Sequence, residues 1–281
     1  MSVTPINAIV ASSLPVTAGP PAGRYRLVDL CRSEWAKLRT VRSTMWTLGV
    51  TLVVGVGVAV LATAEARAHW STMTPSDRAS FDPTRLSLVG TLFGQLSIGV
   101  LGVLVMGSEY GTGTIRATLS AAPRRLRVLV AKVAVFGAVA LAVSEIVSFL
   151  SFFFGQAMLT APAAHATLAT PGALRAVAGT GVFLCLVGLL ALGLATVIRH
   201  TAGAISAYVA ILLVLPAIVT ALPSSLQDDV ARFLPAVIGT VVFQTTRPSW
   251  TFSPAASLLL VALYAAVLLA LGGFLLTRRD A

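Results

Sequence analysis

The chain has 281 residues, of which 57% are hydrophobic and only 11% charged, and it carries a formal net charge of +10. A water-soluble domain of this length would scatter charge over its whole surface. Here Lys and Arg collect at the ends of long apolar runs, which excludes that class and accounts for the positive balance without nucleic acid. The two cysteines, Cys31 and Cys185, support neither a disulfide framework nor a thiolate metal centre.

Residues 1–23, MSVTPINAIVASSLPVTAGPPAG, hold four prolines and no Lys or Arg, and they lack the charged and apolar regions of a secretory signal. They read as a disordered cytoplasmic tail, leaving 24–281 as the membrane domain. The stretch that follows, RLVDLCRSEWAKLRTVRSTM, sets Leu27, Leu30, Cys31, Trp35, Leu38, Val41 and Met45 at helical spacing on one stripe. It is expected to form an amphipathic lead-in helix on the inner leaflet, with Trp35 at headgroup level and its cations drawn to anionic lipids. Glu34 falls inside the apolar stripe. It must snorkel, pair with Lys37 one turn on, or meet another protein.

Apolar runs long enough to cross about 30 Å of hydrocarbon fall at 45–64, 87–106, 133–154, 176–197, 201–222 and 254–276. The expected fold is therefore all-α: a polytopic membrane protein with six transmembrane helices. With both termini inside, fourteen Lys and Arg lie on the inner side and six on the outer, namely Arg67, Arg78, Arg85, Arg175, Arg232 and Arg247. That bias predicts an N-in, C-in topology.

In the second span Gly90 and Gly94 are four residues apart, a spacing that permits close helix contact and offers a subunit interface. Gln95 in this span and Glu145 in the third lie at nearly equal depth, eleven and twelve residues from the inner ends of their spans. A carboxylate left bare at that depth costs about 3 kcal/mol, so a Gln95 to Glu145 hydrogen bond clamping the two spans is expected; a role for Glu145 in cargo binding or proton movement is the alternative. Phe152, Phe153 and Phe154 suggest an aromatic belt at the outer boundary. Only Arg199, His200 and their neighbours separate the fourth and fifth spans, which predicts a tight hairpin, and Pro216 predicts a kink in the fifth. The segment 223–253 contains LPAVIGTVVF, too short to span; Pro235 and Gly239 are expected to break it as an interfacial or re-entrant piece.

Between the second and third spans, SEYGTGTIRATLSAAPRRLRVLVAK places five cations, a Gly-Thr turn and Glu109 in a connection far longer than a hairpin needs. Gly111 and Gly113 allow tight turns and Thr114 can cap a short helix, IRATLSA, which Pro123 ends; a basic turn then leads into the third span. On charge alone this could be a loop that merely anchors topology. The sequence contains no HExxH pair, no GxSxG elbow, and no Lys placed after GTGT to complete a phosphate loop. No catalytic, cofactor or metal site is expected, and any ATP must be held by another chain.

The order acid, glycine turn, short helix and basic re-entry resembles the first cytoplasmic loop of ABC transporter permeases of the type-2 exporter family. RSEWAKLRTVRSTMWTL resembles the lead-in of actinobacterial permeases of that family, and LLTRRDA their C-terminus. The resemblance implies that Glu109, Gly113, Thr114, Ile115 and Arg116 form a cytoplasmic coupling helix and that Glu34, Trp35 and Lys37 flank the same ATPase. It further implies a separate ATP-binding subunit and a second permease copy in a bacterial plasma membrane, and it carries nothing specific about cargo. The reading as a whole is an exporter of a hydrophobic or amphipathic solute, for which a drug, lipid or peptide would fit. A membrane scaffold or signalling protein without transport, or a proton-coupled transporter using Glu145, are the alternatives.

Overall fold

The computed structural model describes residues 26–114 and 125–278. The expected disordered tail at 1–23 lies outside the described residues, as do Ile115, Arg116 and Pro123. Every regular element among the described residues is helical.

The lead-in is α1, Leu27–Thr40, and after Val41 in extended backbone the chain turns directly into α2, Arg42–Ala68. A short linker then carries α3, Pro75–Ala79, and α4, Pro83–Ser87. Both are single-turn pieces started by the same local chemistry. Pro sits at the first helical position, and the preceding Thr74 or Asp82 accepts the backbone N–H of Asp77 or Arg85 at 3.2 and 3.0 Å.

The second span is α5, Thr91–Gly111, and the third is α6, Arg125–Met158, long enough at 34 residues to project beyond a bilayer. The segment read as a basic turn before the third span is therefore, from Arg125 on, the opening turns of that helix. The fourth span, α7, Ala173–Ile198, is joined to the fifth, α8, Thr201–Val219, by two residues. Arg199 takes a left-handed φ of +61°, and His200 caps the next helix by accepting the N–H of Gly203 at 3.1 Å, giving the expected tight hairpin. Ahead of Pro216, residues Ala210–Val214 of α8 widen into a π-helical stretch. Proline offers no N–H to the carbonyl four residues back, and the helix absorbs the defect there.

Two short helices follow, α9, Ser224–Ala231, and α10, Pro235–Phe243, and the last span is α11, Pro254–Arg278. The LPAVIGTVVF segment is too short to cross, as expected, yet Pro235 and Gly239 do not break it. Pro235 stands at the first turn, where its missing N–H costs nothing. Gly239 lets Phe183 of α7 close in, since a methyl group there would stand 2.7 Å from its ring.

The six long apolar helices found among the described residues, α2, α5, α6, α7, α8 and α11, make the chain a polytopic membrane protein. The fourth span is the core: α5, α6 and α11 all pack on α7, and most of its residues are buried, whereas the first, third, fifth and sixth spans turn most of their surface outward. Away from the lead-in, polar side chains knit the connecting segments together. Asp82 accepts both the N–H and the hydroxyl of Thr245, at 2.8 and 2.7 Å, and the amide nitrogen of Gln156 reaches Pro83 O and Ser87 Oγ, both at 2.9 Å.

Two expected surfaces are interior. Gly90 is an intrachain contact: a methyl group there would stand 1.9 Å from Gly55 O of the first span, so the pair of glycines brings α2 and α5 backbone to backbone and offers no subunit interface. Gly94 is buried against Leu184 and Thr51. Phe152 is buried in a cluster with Leu88, Val177 and Phe243, so only Phe153 and Phe154 turn outward.

Candidate functional site

Four charged side chains meet at the end of the bundle that carries α1. Glu34 and Lys37 stand one turn apart on the lead-in, Glu109 lies in the last turn of α5, and Lys132 lies two turns into α6. Lys37 Nζ donates to Glu34 Oε1 at 2.7 Å and to Glu109 Oε1 at 2.8 Å. Lys132 Nζ donates to Glu34 Oε2 at 2.5 Å and to Glu109 Oε1 at 2.8 Å. Each carboxylate touches both ammonium groups and each ammonium touches both carboxylates, so the four form a closed, electrically neutral ring.

The ring is buried. Lys132 is 2% exposed, Glu34 5% and Glu109 7%; only the Lys37 side chain, at 41%, reaches the surface. Partial burial works to lower the pKa of Lys37. The carboxylates of Glu109 and Glu34 outweigh that and hold its ammonium above the ordinary lysine range. A charge buried without its partner is costly, so the ring makes α1, α5 and α6 mutually dependent. The lead-in is thereby joined to both helix ends that bound residues 115–124.

Of the readings open to Glu34, pairing with Lys37 is realised, and Glu109 enters the same cluster. Sequence reasoning missed Lys132 as their partner. The signal was present: it interrupts the apolar run VLVAKVAVF, where a lone cation has to find an acid. Trp35 is half exposed on the face away from the ring. Gly113 has a left-handed φ of +69° and donates its N–H to Tyr110 O at 3.3 Å, which ends α5 as the glycine turn was expected to. The Thr114 hydroxyl meets Thr112 Oγ1 at 2.9 Å, and the helix it was expected to cap falls among residues outside the described ones.

Two further cations secure this end. Arg125 Nη1 donates to Leu276 O and Arg199 Nη2 to Leu275 O, both at 2.8 Å, which satisfies carbonyls in the final turns of α11 where the helix dipole favours positive charge. The Arg199 guanidinium also lies 5.8 Å from the centre of the Tyr110 ring.

The expected Gln95 to Glu145 clamp is not formed. Both residues lie on long apolar helices, but Gln95 Oε1 and Glu145 Oε2 are buried without partners. The reason is the fourth span, which packs on α5 and α6 far more extensively than they pack on each other. Glu145 meets it at Gly181, where a methyl group would stand 2.4 Å from the carboxyl carbon. Gln95 turns its backbone carbonyl to the hydroxyl of Tyr208, at 2.6 Å.

Residues 30–217 match the family described as ABC-2 family transporter protein, a region that takes in all four members of the ring. No curated protein matches the chain. Its six apolar crossings and a family match over more than half its length place the chain in the ABC-2 transporter family, as a multi-pass membrane permease component of an ABC transporter.

Proposed function

We propose that the chain is half of an ATP-driven exporter in a bacterial plasma membrane. Two copies pair in the membrane, a separate subunit binds and hydrolyses the ATP, and a hydrophobic or amphipathic solute such as a drug, lipid or peptide moves outward. The end that carries α1 faces the cytosol, which the fourteen-to-six distribution of Lys and Arg supports. The ATPase docks on the coupling element that begins at Gly113 and Thr114 and runs through Ile115 and Arg116, flanked by Trp35 of the lead-in.

The observation that carries this reading is the buried ring of Glu34, Lys37, Glu109 and Lys132. A push on the coupling element reaches Glu109 on one side and α6 on the other, and the ring passes it to the lead-in without a flexible joint. In the complex with its ATPase, Arg116→Glu is expected to weaken co-purification, and Glu109→Gln to leave association intact while lowering solute-stimulated hydrolysis. If both variants associate and turn over as the unaltered chain does, the coupling assignment fails.

One feature favours a second reading. The unpartnered Glu145 oxygen suits a residue that carries a proton. Transport that persists without ATP and vanishes in Glu145→Gln would establish proton coupling in place of the ATP-driven reading.

A further inference from the structure

Beside the ring lies a cavity of about 350 Å³, between the junction of α1 with α2 and the second span, within the range of small-molecule sites. Its walls are divided by polarity. Glu109 and Lys37 stand at one end, while Leu101, Leu104 and Val105 continue along α5 toward the middle of the span. From Glu109 to Leu101 is about 12 Å at the helical rise. Glu109 Oε1 already accepts from both lysines, but Oε2 is buried and unpartnered. A buried carboxylate oxygen left bare is costly, and it calls for a donor.

We propose that this cavity is a binding site for a membrane phospholipid with a primary-ammonium, zwitterionic headgroup of the ethanolamine type. The ammonium donates to Glu109 Oε2. The phosphate is drawn to Lys37, the one ring member that reaches the surface. The first methylenes of an acyl chain run along Leu101, Leu104 and Val105. A zwitterion matches a neutral ring without adding net charge to a buried place. A choline headgroup has no N–H to give, and an anionic glycerol headgroup supplies only a neutral hydroxyl while adding a negative charge. The site depends on the membrane setting alone, not on the direction of transport or on the partner ATPase.

The test uses the full chain in nanodiscs of mixed ethanolamine, choline and glycerol phospholipids with identical acyl chains, followed by native mass spectrometry of the retained lipid. The ethanolamine lipid is expected to be retained with about tenfold preference over choline, the yield of one charge-assisted hydrogen bond. Leu104→Trp, which fills the cavity and leaves the four charges in place, is expected to erase the preference. Glu109→Gln is expected to reduce it, and if that variant fails to fold, Leu104→Trp decides. Equal retention of all three lipids, as from a cavity filled by water, overturns the proposal. So does a preference for the glycerol lipid, or an ethanolamine preference that survives in Leu104→Trp.

Discussion

Lys132 and Lys37 share the same two carboxylates but differ in exposure, and that difference sets what each contributes. Lys132→Met leaves Glu34 and Glu109 buried with half their partners, and is expected to cost about 3–5 kcal/mol. Lys37→Met also leaves each carboxylate with a single ammonium, but at a place where the side chain is 41% exposed and water can stand in for the lost cation, so its cost should be the smaller, about 1 kcal/mol. Thermal unfolding of the two variants in detergent checks the order; equal losses would deny the difference in environment. The raised pKa of Lys37 also carries a sign. A cation whose folded pKa exceeds its ordinary value of 10.5 lends its full stabilisation below about that pH and loses it as pH rises through the folded value. Unfolding followed into the alkaline range should therefore show a decline that is shallower in Lys37→Met than in the unaltered chain.

The helices meet through close backbone approach as much as through side chains, and two glycines separate the effects. In Gly90→Ala the new methyl meets the backbone oxygen of Gly55, which can yield only if α2 and α5 part; the expected cost is about 3 kcal/mol. In Gly181→Ala it meets the far end of the Glu145 side chain, which can rotate aside, and the cost should be about 1 kcal/mol. The reverse order in unfolding measurements would contradict the packing described. At this scale, composition along the chain revealed the spans and the lead-in, because helix length against bilayer thickness is a one-dimensional property. The apolar helices that carry Gln95 and Glu145 were legible in the same way. Azimuth was not, since which helix lies between two others is decided by packing around α7. The Gly90 contact and the burial of Phe152 depend on azimuth in the same way. Glu34 was visible as an acid in an apolar stripe, but its second cation stands 98 residues away, beyond the reach of any local pattern.

For the molecule as a whole, six crossings return the last helix to the lead-in end, where Arg125 and Arg199 hold its final carbonyls. A single cysteine placed at Gly113, in a chain with Cys31 and Cys185 replaced, is expected to react with an impermeant maleimide only when the cytosolic face is open. Labelling from outside would invert the topology. In the proposed mechanism the ring links the lead-in to the second and third spans as one body that the ATPase drives. Its geometry makes a specific demand: reversing one charge breaks two contacts, whereas reversing all four restores every one. The decisive measurement is solute-stimulated ATP hydrolysis by the reconstituted complex carrying either Lys132→Glu alone or the fourfold inversion Glu34→Lys, Lys37→Glu, Glu109→Lys and Lys132→Glu. Stimulation should be lost in the single variant and largely regained in the inversion. Full stimulation in Lys132→Glu, or a folded inversion that stays unstimulated, would contradict it.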